Sequence, residues 1–427
     1  EATLSSRIMA ARKAIGDSGK EQQLIRTIHS RGFRFVGELK QSSMECEDAT
    51  ETTVSLLEAA KDRILTADMA GASATLELAK QRLSSSADYK DREWAYWHIL
   101  MAQLLLQLEG WSSESAREHY DKAIDIAEGI GDVEVFRSAR YHLATMFELR
   151  ADFMQSETLM RAAITEPTGD ASDAESRELL ACSLFHQGRF SESGKQASSG
   201  IEISPTKAIT RLSAFYGEDP LVSCHHWLAL SLLFMGDEDA ALRKASKALR
   251  LSEQHGRIHS LAHSRQQAAM LHQVRRDLDL CEHWARATVS IGTRQNLPYR
   301  KCAGTILLCW ATGMKGDPKP VIGEMVSNLE QMAAIGARME EPYFAALIAE
   351  CEIAADDKKS AIFRLKNLLN SDPVKRGYFY TAEILRLRAI AECNGQSKQT
   401  LKHAIDLATR QGAQYLVRRC TDSLNSS

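Results

Sequence analysis

Proline and aromatic residues are scarce in this chain, with eight prolines in 427 residues and only 7% Phe, Trp and Tyr. So few helix breakers and so few β-favouring rings argue against a sheet protein and for helices. There is no uninterrupted run of about 18 apolar residues, the length a helix needs to cross a bilayer, and no charged-then-apolar leader opens the sequence. The nine cysteines, at positions 46, 182, 224, 281, 302, 309, 351, 393 and 420, form no Cys-x-x-Cys pair and keep no regular spacing. Such scatter excludes a zinc ribbon or a disulfide framework and reads as the reduced core thiols of a cytoplasmic protein. Neither a GxxxxGK[ST] phosphate loop nor a Gly-x-Ser-x-Gly elbow occurs, and "MKGDPKP" (Met314 to Pro320) is a proline-broken turn.

Titratable residues give little sign of catalysis. The pairs Glu340-Glu341 and Asp356-Asp357 fall at turns, where solvated helix caps are the expected role. Seven of the thirteen histidines lie between 225 and 283, and His255, His259 and His263 are spaced i, i+4, i+8, one face of a continuous helix. Two His at that spacing can grip a metal, but no Glu follows the first as in a zincin and no third ligand is placed. Helix-face histidines are the expected reading, with no metal, no cofactor and no enzyme activity.

What is present is length and helical period. With 44% apolar composition, 427 residues are too many for one ordinary compact domain, so several units or one elongated array are expected. Charge is uneven. Residues 1–40 hold eight Lys/Arg against four Asp/Glu, a net +4, and the other 387 hold 45 against 52, a net -7. Only the head is basic.

In the head, Leu4, Ile8, Ala11 and Ile15 make one helical stripe, which Gly16, Asp17, Ser18 and Gly19 bring to an end. Leu24 to Ile28 then reads as a short strand. After His29-Ser30-Arg31-Gly32, Phe33, Phe35, Gly37 and Leu39 alternate with Arg34, Val36 and Glu38, the period of a half-buried strand. "TLSSRIMAARKAIGD" followed by "LIRTIHSRGFRFVGE" resembles the second half of an OmpR/PhoB-type winged-helix DNA-binding domain, its recognition helix and then its wing. The resemblance implies that Thr3, Ser6, Arg7 and Arg12 meet DNA from the helix, and Thr27, His29, Arg31 and Arg34 from the wing. Ala2, Met9 and Ala10 stand where relatives often carry arginine. It also implies that the rest of that domain, about 60 residues on the usual size of small domains, precedes Glu1.

Residues 41–52, "QSSMECEDATET", lack apolar period and read as a linker. From residue 53 to 427 the chain repeats itself. "AIDIAEGIGD" (Ala123 to Asp132), "ALRLSEQHGR" (Ala248 to Arg257), "NLEQMAAIGAR" (Asn328 to Arg338) and "AIDLATRQGA" (Ala404 to Ala413) each read as a helix end closed by Gly. Upstream lie trios at i, i+4, i+7: Ala116, Tyr120, Ala123; Ser156, Met160, Ala163; Ala241, Ala245, Ala248; Cys281, Ala285, Thr288; Ala361, Leu365, Leu368. This pattern resembles the second helix of a tetratricopeptide repeat, best seen in "WLALSLLFMGDEDAALRKASKALRL" (Trp227 to Leu251). The expected fold is mostly α, about nine irregular hairpins in a right-handed superhelix behind a recognition helix and β-hairpin wing. Trp94, Tyr96, Trp97, Tyr141, Trp227, Tyr343, Phe344 and Tyr378 could line its groove, although aromatics at helical spacing more often pack between helices.

Together the two resemblances imply a bacterial transcription regulator. Its head binds DNA, and its groove holds a protein, a peptide or a small ligand or mediates homo-oligomerisation, with no membrane partner. The alternative is a protein-interaction adaptor with a vestigial head. If the head binds DNA, Arg31→Ala and Arg34→Ala weaken gel-shift binding by the protein with its upstream residues, and the loss shrinks as salt rises. Absent or salt-independent binding would sink the reading.

Overall fold

The structure is a computed structural model that describes residues 8, 17, 23–28, 32–35, 52–66, 68–85, 91–165, 171–203 and 218–426. The chain separates into two compact units, Glu1–Thr52 and Thr53–Ser427. In the first, β1 (Ile25–Ile28) pairs antiparallel with β2 (Gly32–Phe35), setting Ile25 opposite Phe35, Arg26 opposite Arg34 and Thr27 opposite Phe33. The Asp17 carboxylate, placed in the sequence as part of a helix stop, accepts the backbone N–H groups of Gln23 (3.0 Å), Leu24 (3.0 Å) and Ile25 (2.8 Å), tying down the entry to β1. Ile8 is helical. Of the expected DNA-contacting residues, Thr3, Ser6, Arg7, Arg12, His29 and Arg31 lie outside the described residues; Thr27 and Arg34 take the strand positions just given.

The second unit is a run of helical hairpins. In chain order these are α1 (Thr53–Leu65) with α2 (Met69–Ser85), α3 (Asp91–Glu109) with α4 (Glu114–Ile130), α5 (Val133–Leu149) with α6 (Phe153–Thr165), and α7 (Ala171–His186) with α8 (Phe190–Ile203). Then follow α9 (Pro220–Met235) with α10 (Glu238–His255), α11 (Ile258–Val274) with α12 (Leu278–Arg294), and α13 (Pro298–Lys315) with α14 (Lys319–Ala334). The array closes with α15 (Glu341–Ala354) and α16 (Lys358–Asn370), the single turn α17 (Asp372–Lys375), α18 (Thr381–Glu392) with α19 (Ser397–Arg410), and a final α20 (Gln414–Asn425). Among the described residues these make nine hairpins, and no helix is long and apolar enough to cross a membrane.

Local chemistry sets the boundaries. The carboxylates of Asp132, Asp237, Asp277 and Asp357 each accept the backbone N–H three residues on, capping α5, α10, α12 and α16. Gly236 ends α9 at φ 97°, a left-handed conformation that costs a side-chain-bearing residue energy, and the turn into α10 follows at once. All five trios read from the sequence are buried on second helices, α4, α6, α10, α12 and α16. Three more hairpins carry the same spacing: Ala72, Leu76 and Ala79 on α2, Ser193, Ala197 and Gly200 on α8, and Ser397, Leu401 and Ala404 on α19, all buried. Small residues there let the paired axes approach, as at Gly200, where an added Cβ would lie 2.6 Å from Cys224 Sγ.

Contacts between distant repeats close the array. Arg338 and Met339 donate backbone N–H to the Leu149 carbonyl (2.6 and 3.1 Å), Trp111 N–H donates to Ile335 O (2.9 Å) and Phe379 N–H to His186 O (3.0 Å). The turns after α3, α5 and α7 therefore touch the connections leading into α15 and α18. A continuous core fills the space between, with Phe185, Phe190, Trp227, Phe234, Tyr343, Tyr378 and Phe379 all buried. Of the aromatics offered as groove lining, Trp97, Tyr141, Trp227, Tyr343, Phe344 and Tyr378 are buried and Trp94 and Tyr96 partly so, which is the packing role. Eight cysteines are described as free thiols, and of these only Cys393 is exposed.

Because the trio positions set helix spacing, Ala123→Leu should overpack the α3–α4 contact and cost about 1–3 kcal/mol. The measurement is the denaturation midpoint, and an unchanged midpoint would show that the spacing is not set there.

Candidate functional site

Charged side chains collect at the N-terminal ends of four successive first helices, α9, α11, α13 and α15. Asp219 caps α9 by accepting the Leu221 N–H (2.9 Å), and its other oxygen meets His255 Nδ1 at 2.5 Å. Beside it, Glu218 pairs with His263 Nδ1 (3.0 Å) on α11 and with Arg300 on α13. Arg300 donates to Gln266 Oε1 (2.9 Å), Gln266 donates to the Glu340 carboxylate (3.3 Å), and Tyr299 donates its hydroxyl to Glu340 at the start of α15. His226 and Ser264 bond at 2.9 Å behind this row. The network is reachable from solvent: the Glu218 side chain is 28% exposed and that of Arg300 15%.

Electrostatics follow from that placement. Burial pushes the Glu218 carboxyl up, but His263 and Arg300 outweigh it and hold Glu218 well below the usual carboxylate range. Glu340 shifts the other way, since burial raises it more than Tyr299 and Arg300 lower it. His226 is pushed well down by burial, with His263 and His225 beside it adding to the effect.

A second, deeper group has carboxyls but no cation. On α5, Glu148 Oε1 accepts the hydroxyls of Ser183 (2.7 Å) and Ser156 (3.2 Å). On α7, Glu178 Oε1 accepts the Trp227 indole N–H (2.8 Å). Burial raises Glu148 to about 8 against the pull of its serine bonds, and raises Glu178 well above its ordinary value with the Glu148 charge adding to it. The buried Cys182 thiol is pushed up by burial and by the charges of both glutamates. One turn on, His186 Nδ1 lies 3.0 Å from the Cys182 carbonyl oxygen and its ring stacks on Phe153.

Two sequence expectations need correction. His255, His259 and His263 do not share a helix face: His255 ends α10, Gly256 turns the chain at φ 66°, and the other two lie on α11. No cluster of three His, Cys, Asp or Glu fit to hold a metal occurs among the described residues. Glu340 is not a solvated cap but is 1% exposed, because the Met339 carbonyl and the α14–α15 connection are drawn inward. Asp357 does act as a cap. Glu148, Glu178, Glu218 and Arg300 were not singled out in the sequence. Their signal was weak: a charge inside an apolar first helix, as in "TMFELRADF" (Thr145 to Phe153), with the partner far away in the chain.

The array resembles solved structures at the level of fold. A Rap protein complexed with competence and sporulation factor superposes with a TM-score of 0.56 at 13% identity, over 88% of this chain and 99% of that one. The Rap conjugation gene regulator of plasmid pLS20, in complex with the Phr* peptide, gives 0.52 at 15% identity, over 87% and 97%. No protein-family model and no curated protein matches the sequence. The likeness places the second unit among tetratricopeptide-like right-handed superhelices.

Glu148 binds its proton more tightly folded than unfolded, so between its ordinary value and about 8 the native state holds the extra proton and loses stability as pH rises. Glu148→Gln keeps the shape without the charge. Its melting temperature should exceed that of the parent by about 2 °C or more near pH 8.5 and match it near pH 5. A pH-independent difference would mean that Glu148 is not titrating.

Proposed function

We propose that the helical array is a non-catalytic receptor for a peptide, either free or as a segment of a partner protein, and that the chain works as an interaction scaffold. The carrying observation is the Glu218–His263–Arg300–Gln266–Glu340 network: opposite charges meet at four helix starts with Glu218 and Arg300 partly exposed, suited to a chain with an ammonium or basic group and carbonyl acceptors. Of the two solved structures sharing the fold, one is a complex with competence and sporulation factor and the other a complex with the Phr* peptide, which supports this reading.

A second reading rests on the first unit. Register sets Arg26 opposite Arg34 across the strand pair, in a head whose residues 1–40 carry a net charge of +4. A basic segment attracts a phosphate backbone. In that reading Thr3, Ser6, Arg7, Arg12, Thr27, His29, Arg31 and Arg34 contact DNA, and peptide binding to the array regulates a transcription factor.

Selection of a displayed random-peptide library on the immobilised full chain tests the scaffold. Wild type should enrich a defined motif, and Glu218→Gln combined with Arg300→Met should lower affinity for it at least about tenfold, the loss of one buried charge contact. No enrichment, or equal binding by the double variant, would overturn it.

A further inference from the structure

Arginines on several second helices have acidic neighbours. On α4, Arg117 lies beside Glu114 (3.8 Å) and Asp121 (3.7 Å); on α6, Arg161 meets Glu157 (2.7 Å); on α12, Arg286 meets Glu282 (2.7 Å). The fifth hairpin breaks that pattern. Its α10 carries Arg243, Lys244, Lys247 and Arg250 at i, i+1, i+4 and i+7, all exposed except half-buried Lys244, and none of the four is in an ion pair among the described residues. The acids of the helix, Glu238, Asp239 and Glu253, sit at its two ends, and Glu238 already holds Arg275 (2.7 Å). Arg243 and Lys247, one turn apart, are a like-charge pair that weakens a helix on its own account.

The basic row borders a groove. On α9, Trp227 and Phe234 point into the core, and His225, Leu228, Leu232 and Met235, at i, i+3, i+7 and i+10, form the opposite stripe. Against that stripe stands α8, where an open cavity of about 570 Å³ is lined by Ser191, Lys195, Ser198 and Ser199 of α8 and by Leu228 and Met235 of α9. The other bank is α10. There Lys244, Lys247 and Leu251 share one flank at i, i+3 and i+7, and Leu251 packs with Leu221 of α9 and Ile201 of α8, which turns that flank toward α8.

His225 is a second, independent sign. It is 6% exposed, its Nδ1 is buried without a hydrogen bond, and the charges of Lys244 and Lys247 both bear on it. A buried imidazole nitrogen costs free energy until a partner reaches it, and an ammonium group has no lone pair with which to accept its N–H. A carboxylate drawn in by the two lysines is the acceptor that the Nδ1–H tautomer lacks.

We propose that the groove between α8 and α10 docks an acidic amphipathic helix of a partner protein, its carboxylates meeting Lys195, Lys244 and Lys247 and its apolar side chains entering the cavity over Leu228 and Met235. Cations one turn apart on α10 and apolar residues one turn apart on α9 match a ligand whose own acidic and apolar side chains recur each turn, which is a helix. The groove shares no residue with the Glu218 network, so the array has a second surface of its own charge. A nucleic acid suits it less. The basic row spans only about 10 Å of helix, short for the roughly six to ten phosphate contacts of a typical complex, and residues 41–427 carry a net charge of -7 that repels a polyanion elsewhere.

The probe is a fluorescein-labelled peptide of about 18 residues, five helical turns, with Glu along one face and Leu along the other, titrated into the full chain by anisotropy. Its Gln-for-Glu counterpart and an oligothymidine of similar length are the comparisons. The Glu peptide should bind and lose affinity as salt rises, and the Gln peptide should bind at least about tenfold more weakly. Lys244→Glu combined with Lys247→Glu should cost the Glu peptide at least about tenfold, and Ser198→Phe, which fills the cavity and leaves the charge alone, should do the same. Arg117→Glu combined with Arg286→Glu, on α4 and α12, should leave its affinity unchanged, and melting checks that every variant folds. No binding of the Glu peptide, equal binding of the Gln peptide, wild-type affinity in the α10 or the Ser198 variant, or an equal loss in the α4 and α12 variant would overturn the docking surface. So would oligothymidine binding that is tighter than the peptide's and is lost with Lys244 and Lys247.

Discussion

Close approach of paired helices at small buried residues is the constraint on which the second unit depends. Ala72, Ala116, Ala241, Ala285 and Ala361 are fully buried at the crossings, and a larger side chain at any of them would push the pair apart. Once the pairs sit close, consecutive first helices come within reach of one another, and their side chains supply most of the large aromatics of the core. The Asp caps and the glycine turn at Gly236 fix where each pair reverses, so the stacking geometry is passed from one hairpin to the next.

From that stacking follows the closure that sets this array apart from an open groove. The Leu149 carbonyl receives two N–H groups from residues 338 and 339, and His186 O receives Phe379 N–H. Segments far apart in the chain thus meet at the ends of α5 and α7, and the aromatic core seals the middle. In the row of helix starts, Glu218 and Arg300 stay partly exposed, and the cation-free glutamates Glu148 and Glu178 are buried. Other interior carboxylates, Glu350, Glu352 and Glu383, are matched with arginines.

The helical array was legible because its signal is local. A trio at i, i+4, i+7 can be read within two turns of helix, and so can a Gly that ends one; even the three trios not read from the sequence, on α2, α8 and α19, follow the same spacing. Two short strands were legible for the same reason, the second through alternation at Phe33 and Phe35; Val36 to Leu39, read as its continuation, lie outside the described residues. The site was not. Glu218 and Arg300 are 82 residues apart, and Glu148 and Ser183 are 35 apart, so no window of sequence holds both members. The histidine series misled because spacing assumes one continuous helix, and Gly256 breaks it.

Composition and period by themselves determined that this chain is helical, repeated and basic only at its head, since these depend on each residue's own preference and its neighbours within a turn or two. Only the tertiary structure decided which charges are neutralised. Whether a glutamate on a first helix meets an arginine, as Glu350 meets Arg276, or only hydroxyls, as Glu148 does, depends on where a distant hairpin comes to rest. Burial then turns that accident of position into an energetic demand, because a carboxyl removed from water must find a donor, a proton or a ligand.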